Sequence, residues 1–248
     1  MKKLLLILFT SLLCSEQLDI QYIGNASFVL SDGKKNVFID FPYEAGAYGF
    51  AMDYSLDSII TGDNNISIIT HHHGDHWWRK GFMSSNNKLF APYFVRLFVP
   101  KSREILFEEH SVIDDLIINP IKTPHSFTIE PFGIPISGKS ISHYSYILFW
   151  HNKKIFISGD ANSEYELLQR EKNIDIAIIT YWNGEYAFMN NKNIDANNII
   201  LCHFYNLEQI PQYRELIDKE KLKINALFGE NTNIHVLDQY EHLYINID

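Results

Sequence analysis

The stretch Thr70-His71-His72-His73-Gly74-Asp75-His76 gathers four imidazoles and a carboxylate within one short turn of chain. Written as His-x-His-x-Asp-His, it follows residues 66–70, an apolar segment that reads as a strand. At the end of a strand, residues i and i+2 project to the same side, so His71 and His73 can share one ion. The turn at Gly74 then lets Asp75 and His76 face the other way, toward a second ion a few ångströms off. His72 points away from both and is left to packing or solvent. Imidazole nitrogen and carboxylate oxygen suit Zn²⁺, and Fe or Mn with less selectivity. Four donors do not complete two sites. The candidates downstream are His125 in Thr-Pro-His-Ser, Asp160 in Ser-Gly-Asp-Ala and His203 in Leu-Cys-His-Phe, each after an apolar strand or the turn that follows one. His143, which opens a strand nearer to Asp160, is the rival to His125 for the first ion and otherwise a pocket residue.

Such donors must be held by rigid elements. Segments rich in β-branched and aromatic residues, separated by Gly24-Asn25 and Ser31-Asp32-Gly33, predict an antiparallel meander over residues 19–23, 26–30 and 36–41. Residues 93–98 and 101–109 read as helix or loop, and 116–122 as strand. A hairpin over 144–150 and 154–158 turns at His151-Asn152-Lys153 and leads straight into Gly159-Asp160. A helix is expected over 163–171, where Ser163 and Glu166 are spaced as a capping box. Strands over 174–180 and 198–203 and a helix over 207–221 follow. Strands first, then alternating strands and helices, imply two sheets with helices packed outside, in one domain over 16–248.

Composition excludes several classes. The 248 residues are 46% hydrophobic and 21% charged with only 12 Gly and 8 Pro, so collagen-like, low-complexity and disordered readings fall away. A net charge of -9 gives no positive field for phosphate backbones, which argues against a nucleic-acid partner. Lys2 and Lys3 precede an apolar run over 4–13 that is too short to span a bilayer and the right size for the core of a signal peptide. Residues 1–15 are therefore expected to direct export, to the periplasm or the exterior. The run ends without a clean small-x-small cleavage site; Cys14 could instead carry a lipid anchor, or the run could be a buried first strand or helix. Without residues 1–15 the charge becomes -11, from 19 basic and 30 acidic residues. Cys14 and Cys202 are the only cysteines, so no disulfide framework supports the fold.

His-x-His-x-Asp-His, then an isolated His, then Gly-Asp, then a His closing an apolar strand resembles the ligand order of the metallo-β-lactamase superfamily. Tyr-Ile-Gly-Asn-Ala-Ser-Phe (22–28), Val-Phe-Ile-Asp (37–40), Ile-Ser-Gly-Asp (157–160) and Ile-Asp-Ile-Ala-Ile-Ile (174–179) look like its branch of ascorbate 6-phosphate lactonase-like and N-acylphosphatidylethanolamine phospholipase-like enzymes. The resemblance implies an α/β (α+β) fold, a four-layer αββα sandwich. It implies one zinc on His71, His73 and His125, a second on Asp75, His76 and His203, and Asp160 bridging them. The activity implied is hydrolysis of an ester, lactone or phosphodiester in a small-molecule or lipid-like substrate, by a hydroxide held between two zinc ions. Asp160 or Asp75 would take up or relay the proton. β-Lactamases of the commonest type place a Cys where this chain has Asp160 and usually lack a His at the position of His76, so antibiotic hydrolysis is disfavoured. Trp77-Trp78 replaces the paired glycines of glyoxalase II-like members and suggests an apolar wall beside the metals.

Three further expectations follow. A metal-bound imidazole usually donates its other N–H to a carboxylate or carbonyl, and Asp40 ends a neighbouring strand where it could accept it, or else it is an ordinary strand-end cap. Tyr181, Trp182 and Asn183 end a strand on the same edge and could line the pocket. The competing reading is an exported, non-catalytic metal- or ligand-binding protein on the same scaffold. No Gly-x-Ser-x-Gly elbow and no Gly-rich phosphate loop offers another nucleophile or phosphate cradle.

Overall fold

The computed structural model describes residues 16–49, 53–126, 141–162, 167–204 and 232–247, with isolated positions between 215 and 222. The expected export segment, the Ser163/Glu166 cap and most of the helix over 207–221 lie outside the described residues. Of the last, Glu215, Asp218 and Lys219 are described and are helical.

The first sheet opens with the expected meander, β1 (Gln17–Gly24), β2 (Ser27–Ser31) and β3 (Asn36–Ile39), paired antiparallel. β4 (Asn65–Ile68) and β5 (Lys88–Phe90) then add in parallel beside β3. The second sheet is built from β6 (Ser111–Ile113), β7 (Leu116–Lys122), β8 (Tyr144–Trp150), β9 (Lys153–Ile157), β10 (Ile174–Thr180), β11 (Ala196–Cys202) and β12 (Asn233–His235). β13 (His242–Asn246) returns to pair antiparallel with β1 at the edge of the first sheet. The hairpin β8–β9 turns on His151 and Asn152, both at positive φ (49° and 58°), the conformation a two-residue turn of the twisted-hairpin type requires.

Alternation along the strands sorts side chains between two cores. From the second sheet, Ile155, Ile157, Ile176 and Ile178 face the first sheet, where they meet Leu18, Phe28, Leu30 and Ile39. On its other face, Ala177, Ile179, Ile199 and Leu201 lie under α5 (Tyr181–Met189) through Ala187. Ile69, Leu89 and Ala91 on the outside of the first sheet are covered by Phe82 of α2 (Arg79–Ser84) and Val95 of α3 (Tyr93–Arg96). The layers run helix, sheet, sheet, helix, and β10 and β11, covered on both faces, are continuously apolar over 176–179 and 199–202 for that reason. α1 (Leu56–Ile59) and α4 (Leu167–Arg170) are shorter helical turns.

Strand direction delivers the chemistry to one rim. β9, β10 and β11 are mutually parallel, and β7 shares their direction because it is two antiparallel steps from β9. Their carboxyl ends lead to Asp160, Tyr181, His203 and His125 respectively. In the first sheet the parallel pair β3 and β4 ends at Asp40 and Thr70. The rims are tied together by Tyr144 N–H donating to the Thr70 carbonyl (3.1 Å) and the Tyr146 hydroxyl to the Ile69 carbonyl (2.7 Å).

Candidate metal centre

The His-rich turn leaves β4 and closes on itself, with the amides of His76 and Trp77 donating to the His73 carbonyl at 3.0 and 2.8 Å. This turn separates the directions of the donors. His71 and His73 group with His125, and Asp75 and His76 group with His203, while a third set of His71, His76 and Asp160 joins the two, the ligating atoms of each set lying within 4.8 Å of one another. His125 is fixed by zipping its loop to the one carrying Asp160: Ser126 N–H donates to the Asp160 carbonyl and Asn162 N–H to the Pro124 carbonyl, both at 2.8 Å. His203 sits at φ 65°, and its N–H donates to the Asn25 carbonyl at 2.7 Å, so the β1–β2 turn holds it in place.

Asp160 stands between the two sets. Its Oδ1 is 3.2 Å from His76 Nε2 and 3.4 Å from His203 Nε2. Its Oδ2 is 3.5 Å from His125 Nε2 and 4.0 Å from His71 Nε2. The nitrogens converge as closely on each other, with His76 Nε2 3.1 Å from His203 Nε2 and His125 Nε2 3.3 Å from His71 Nε2. Gly159, at φ +50°, lets the strand end turn here; a Cβ on it would stand 2.7 Å from both His143 Nε2 and Thr70 Cγ2.

Asp40 organises the far side of two imidazoles. His76 Nδ1 lies 2.8 Å from Asp40 Oδ2, and the Thr70 hydroxyl is 2.8 Å from Oδ2 and 3.0 Å from Oδ1, while Thr70 N–H donates to Oδ1 at 2.7 Å. The same hydroxyl is 3.0 Å from His71 Nδ1. A carboxylate only accepts, so the single hydroxyl proton of Thr70 goes to Asp40 and its oxygen accepts from Nδ1–H of His71. Both His71 and His76 are thereby held as the tautomer whose Nε2 lone pair faces the centre. Ser27 Oγ donates to the Asp40 carbonyl and fixes the backbone behind it.

The electrostatics are uneven. Burial, reinforced by the neighbouring imidazoles His76, His143 and His73, holds His71 well below the usual histidine range despite Asp160. Burial and the imidazoles of His125 and His76 bring His73 down to about 4. Burial works to lower His76 as well, but the carboxylates of Asp160, Asp75 and Asp40 outweigh it and raise His76 well above its ordinary value. Burial would raise Asp160 and Asp75, yet His203 and His76 hold Asp160 well below the usual carboxylate range, and His76 and His203 lower Asp75.

Divalent cations fit this donor set. Facing nitrogens 3.1–3.3 Å apart have no room for a ring proton each, and Asp75 Oδ1 is buried without a hydrogen-bond partner among the described residues. The negative charge that keeps a proton on His76 attracts a cation in its place.

The remaining expected residues divide. His143 is wholly buried, with Nδ1 2.7 Å from Thr123 Oγ1, and it belongs to none of the clustered sets; burial brings it down to about 3. Its ring lies beside that of His71, with centroids 5.2 Å apart. Trp77 departs from the expected wall: it packs on Phe82, 5.1 Å between rings, under the outer layer. Trp78 lines a cleft of about 410 Å³ with Tyr43, Glu44, Ala45, Asp53, Tyr54 and Leu56, which includes none of the seven clustered donors. Asn183 donates its amide to the Ala161 carbonyl (3.2 Å) and Thr180 Oγ1 (2.7 Å) and so clamps the Asp160 loop to the start of α5. Trp182 lies beside His203, 5.0 Å between rings, while Tyr181 stacks on Phe204. Tyr48, which no spacing pointed to, brings its ring to 5.5 Å from His73. His72 is exposed, as its position in the turn implied.

No family model matches the chain, and no curated protein does. Solved structures do resemble it. A metallo hydrolase from the archaeon Ignicoccus hospitalis, Igni18, superposes with a TM-score of 0.66 at 15% identity, over 92% of this chain and 98% of that one. The isothiocyanate hydrolase from Delia radicum gut bacteria gives 0.63 at 16% identity, over 91% and 98%. The metallo-β-lactamase fold protein YhfI of Bacillus subtilis gives 0.61 at 11% identity, over 92% and 99%. The architecture is the metallo-β-lactamase sandwich.

Proposed function

We propose that this protein is a metal-dependent hydrolase with two divalent cations, zinc in the first instance and iron or manganese as alternatives. What carries the reading is the Asp160 carboxylate, one oxygen toward His76 and His203 and the other toward His125 and His71. His71, His73 and His125 would hold one cation, Asp75, His76 and His203 the other, and Asp160 both. The bound cations supply a water acidified toward neutral pH and electrophilic stabilisation of a developing oxyanion.

The chain's own residues provide the rest. Asp40 fixes the ring of His76 directly and that of His71 through Thr70, so neither imidazole reorients during turnover. Asp75 Oδ1, buried and without a hydrogen-bond partner among the described residues, is the oxygen placed to hold a proton released at the reacting centre. The rings of Trp182 and Tyr48 flank opposite halves and favour a substrate with an apolar portion. That agrees with an ester, lactone or phosphodiester of the kind the lactonase-like and phospholipase-like branch handles. Residues 1–15 would export the enzyme.

The test pairs metal content by mass spectrometry with turnover of a chromogenic phosphodiester, a lactone series and an N-acyl phospholipid. Close to two equivalents of metal, and turnover that chelation removes and metal restores, are expected. Stoichiometric metal with no turnover on any of the three classes would leave a binding protein and overturn the hydrolase reading.

A further inference from the structure

The outer layer of the first sheet carries a surface that the metal centre does not use. The helical turn α3 buries Val95 against Phe82 and Leu89, together with Val99 just beyond it, and turns Tyr93, Phe94, Leu97 and Phe98 outward at 62%, 53%, 46% and 65% exposure. Tyr93 and Leu97 are four apart, with Leu97 still helical in backbone at the end of α3, and Phe98 follows in the turn just beyond. Four large apolar side chains on one short projecting turn form a patch of the kind that marks a binding surface. The buried anchor residues stop the turn from folding that patch inward.

The charge around it is the reverse of the chain's. Residues 76–103 contain six Lys and Arg and no Asp or Glu, in a protein of net charge -9. Arg79, Lys80, Lys88 and Lys101 are exposed. Arg79 is tied to the patch itself, its Nε donating to the Phe98 carbonyl at 2.9 Å. The first acid beyond the segment, Glu104, has only 6% of its side chain exposed and is paired with Arg96 and Lys101, so it adds little negative field outside. Exposed aromatic and aliphatic side chains among cations, on an otherwise acidic molecule, match the interface of an anionic lipid bilayer: rings at the headgroup level, Lys and Arg on the phosphates.

We propose that the α2–α3 face docks on anionic phospholipid membranes, with Tyr93, Phe94, Leu97 and Phe98 entering the interface and Arg79 and Lys80 meeting headgroup phosphate. The patch reaches the rim of the metal centre through His72, whose ring lies 6.1 Å from Phe94 and 5.3 Å from His73. Docking therefore brings His72, and His73 next to it, beside the lipid surface. The proposal does not rest on hydrolysis, and its test reads binding alone.

The full chain is co-sedimented with phosphatidylcholine vesicles with and without phosphatidylglycerol, at low and high salt. The expected result is roughly tenfold more binding to the anionic vesicles, falling at high salt. The double variant Phe94→Asp/Phe98→Asp is expected to lose about tenfold, and Arg79→Gln/Lys80→Gln about threefold to tenfold, with circular dichroism and thermal unfolding unchanged. Absence of binding overturns the proposal. So does binding that both variants retain, which would place the contact in the apolar run over 4–13. Self-association in sedimentation velocity that Phe98→Asp abolishes, without vesicle binding, would give the face to a second copy and overturn it as well.

Discussion

The two halves of the centre use the same imidazole chemistry under opposite fields. Around His71, His73 and His125 the donors are nitrogens, and burial keeps His71 and His73 neutral. Around His76 and His203 the carboxylates Asp75, Asp160 and, behind His76, Asp40 dominate, and His76 is pushed up instead. The first half offers lone pairs at little electrostatic strain without a cation. The second holds more negative charge than its imidazoles balance and gains most from one. A single carboxylate, Asp40, supports a ring in each half, directly for His76 and through a hydroxyl for His71.

Changes that cross this division are expected to act most strongly. Asp160→Asn removes the charge facing both halves while keeping the shape; metal content should fall toward zero and turnover by more than about 100-fold, whereas Asp75→Asn should lose one equivalent and retain the other. Equal metal loss in the two variants would mean that the halves fill as one unit. Next comes Asp40→Asn, for which a fall of roughly 10–100-fold in metal affinity is expected, seen first as one weakened equivalent in a chelator titration. Thr70→Val deletes the hydroxyl link to His71 and one donor to Asp40, while Thr70 N–H and His76 Nδ1 still reach that carboxylate, so it should weaken the nitrogen-rich half by less than Asp40→Asn does and the half holding His76 less still. If Thr70→Val matched Asp40→Asn in both halves, the tautomer argument for His71 would fail.

A separate effect, on stability rather than on metal affinity, concerns His143. Its folded value, about 3, lies below the unfolded one near 6.5, so below about pH 6.5 the unfolded chain binds a proton that the folded chain refuses. The stability it contributes is full above that pH and is lost as pH falls toward 3, at up to about 1.4 kcal/mol per unit. Chemical denaturation of the metal-free protein across this window should show a shallower slope in His143→Gln.

Much of this centre can be read along the chain, and the reason is locality. His71, His73, Asp75 and His76 lie within one turn, where strand alternation and Gly74 settle which donors share a side. Asp160 follows a hairpin that its own turn residues announce. Edge strands such as β5 and β6 and the helix α5 carry no such signal; Tyr181-Trp182-Asn183 reads as the frayed end of a strand until packing over Ala177 and Ile179 makes it the first turn of a helix. The same ambiguity hides the roles of Trp77 and Asn183, because sequence does not say which way a side chain leaves a turn. A Thr directly before a strand-end His was the one available clue to Thr70.

Residue type and short-range spacing, then, determined which groups of the His-rich turn can bind metal and that two sheets with helices outside would follow, because both depend on periodicities of two to four residues. Only the tertiary structure brings the ligating nitrogen of His125, and not that of His143, into one group with those of His71 and His73. That choice depends on β7 running in the direction of β9 and on its loop zipping to the one that carries Asp160, contacts between segments far apart in the chain. The facing of Asp160 toward both sets has the same origin: the shared carboxyl ends of strands in two sheets, which no local pattern encodes.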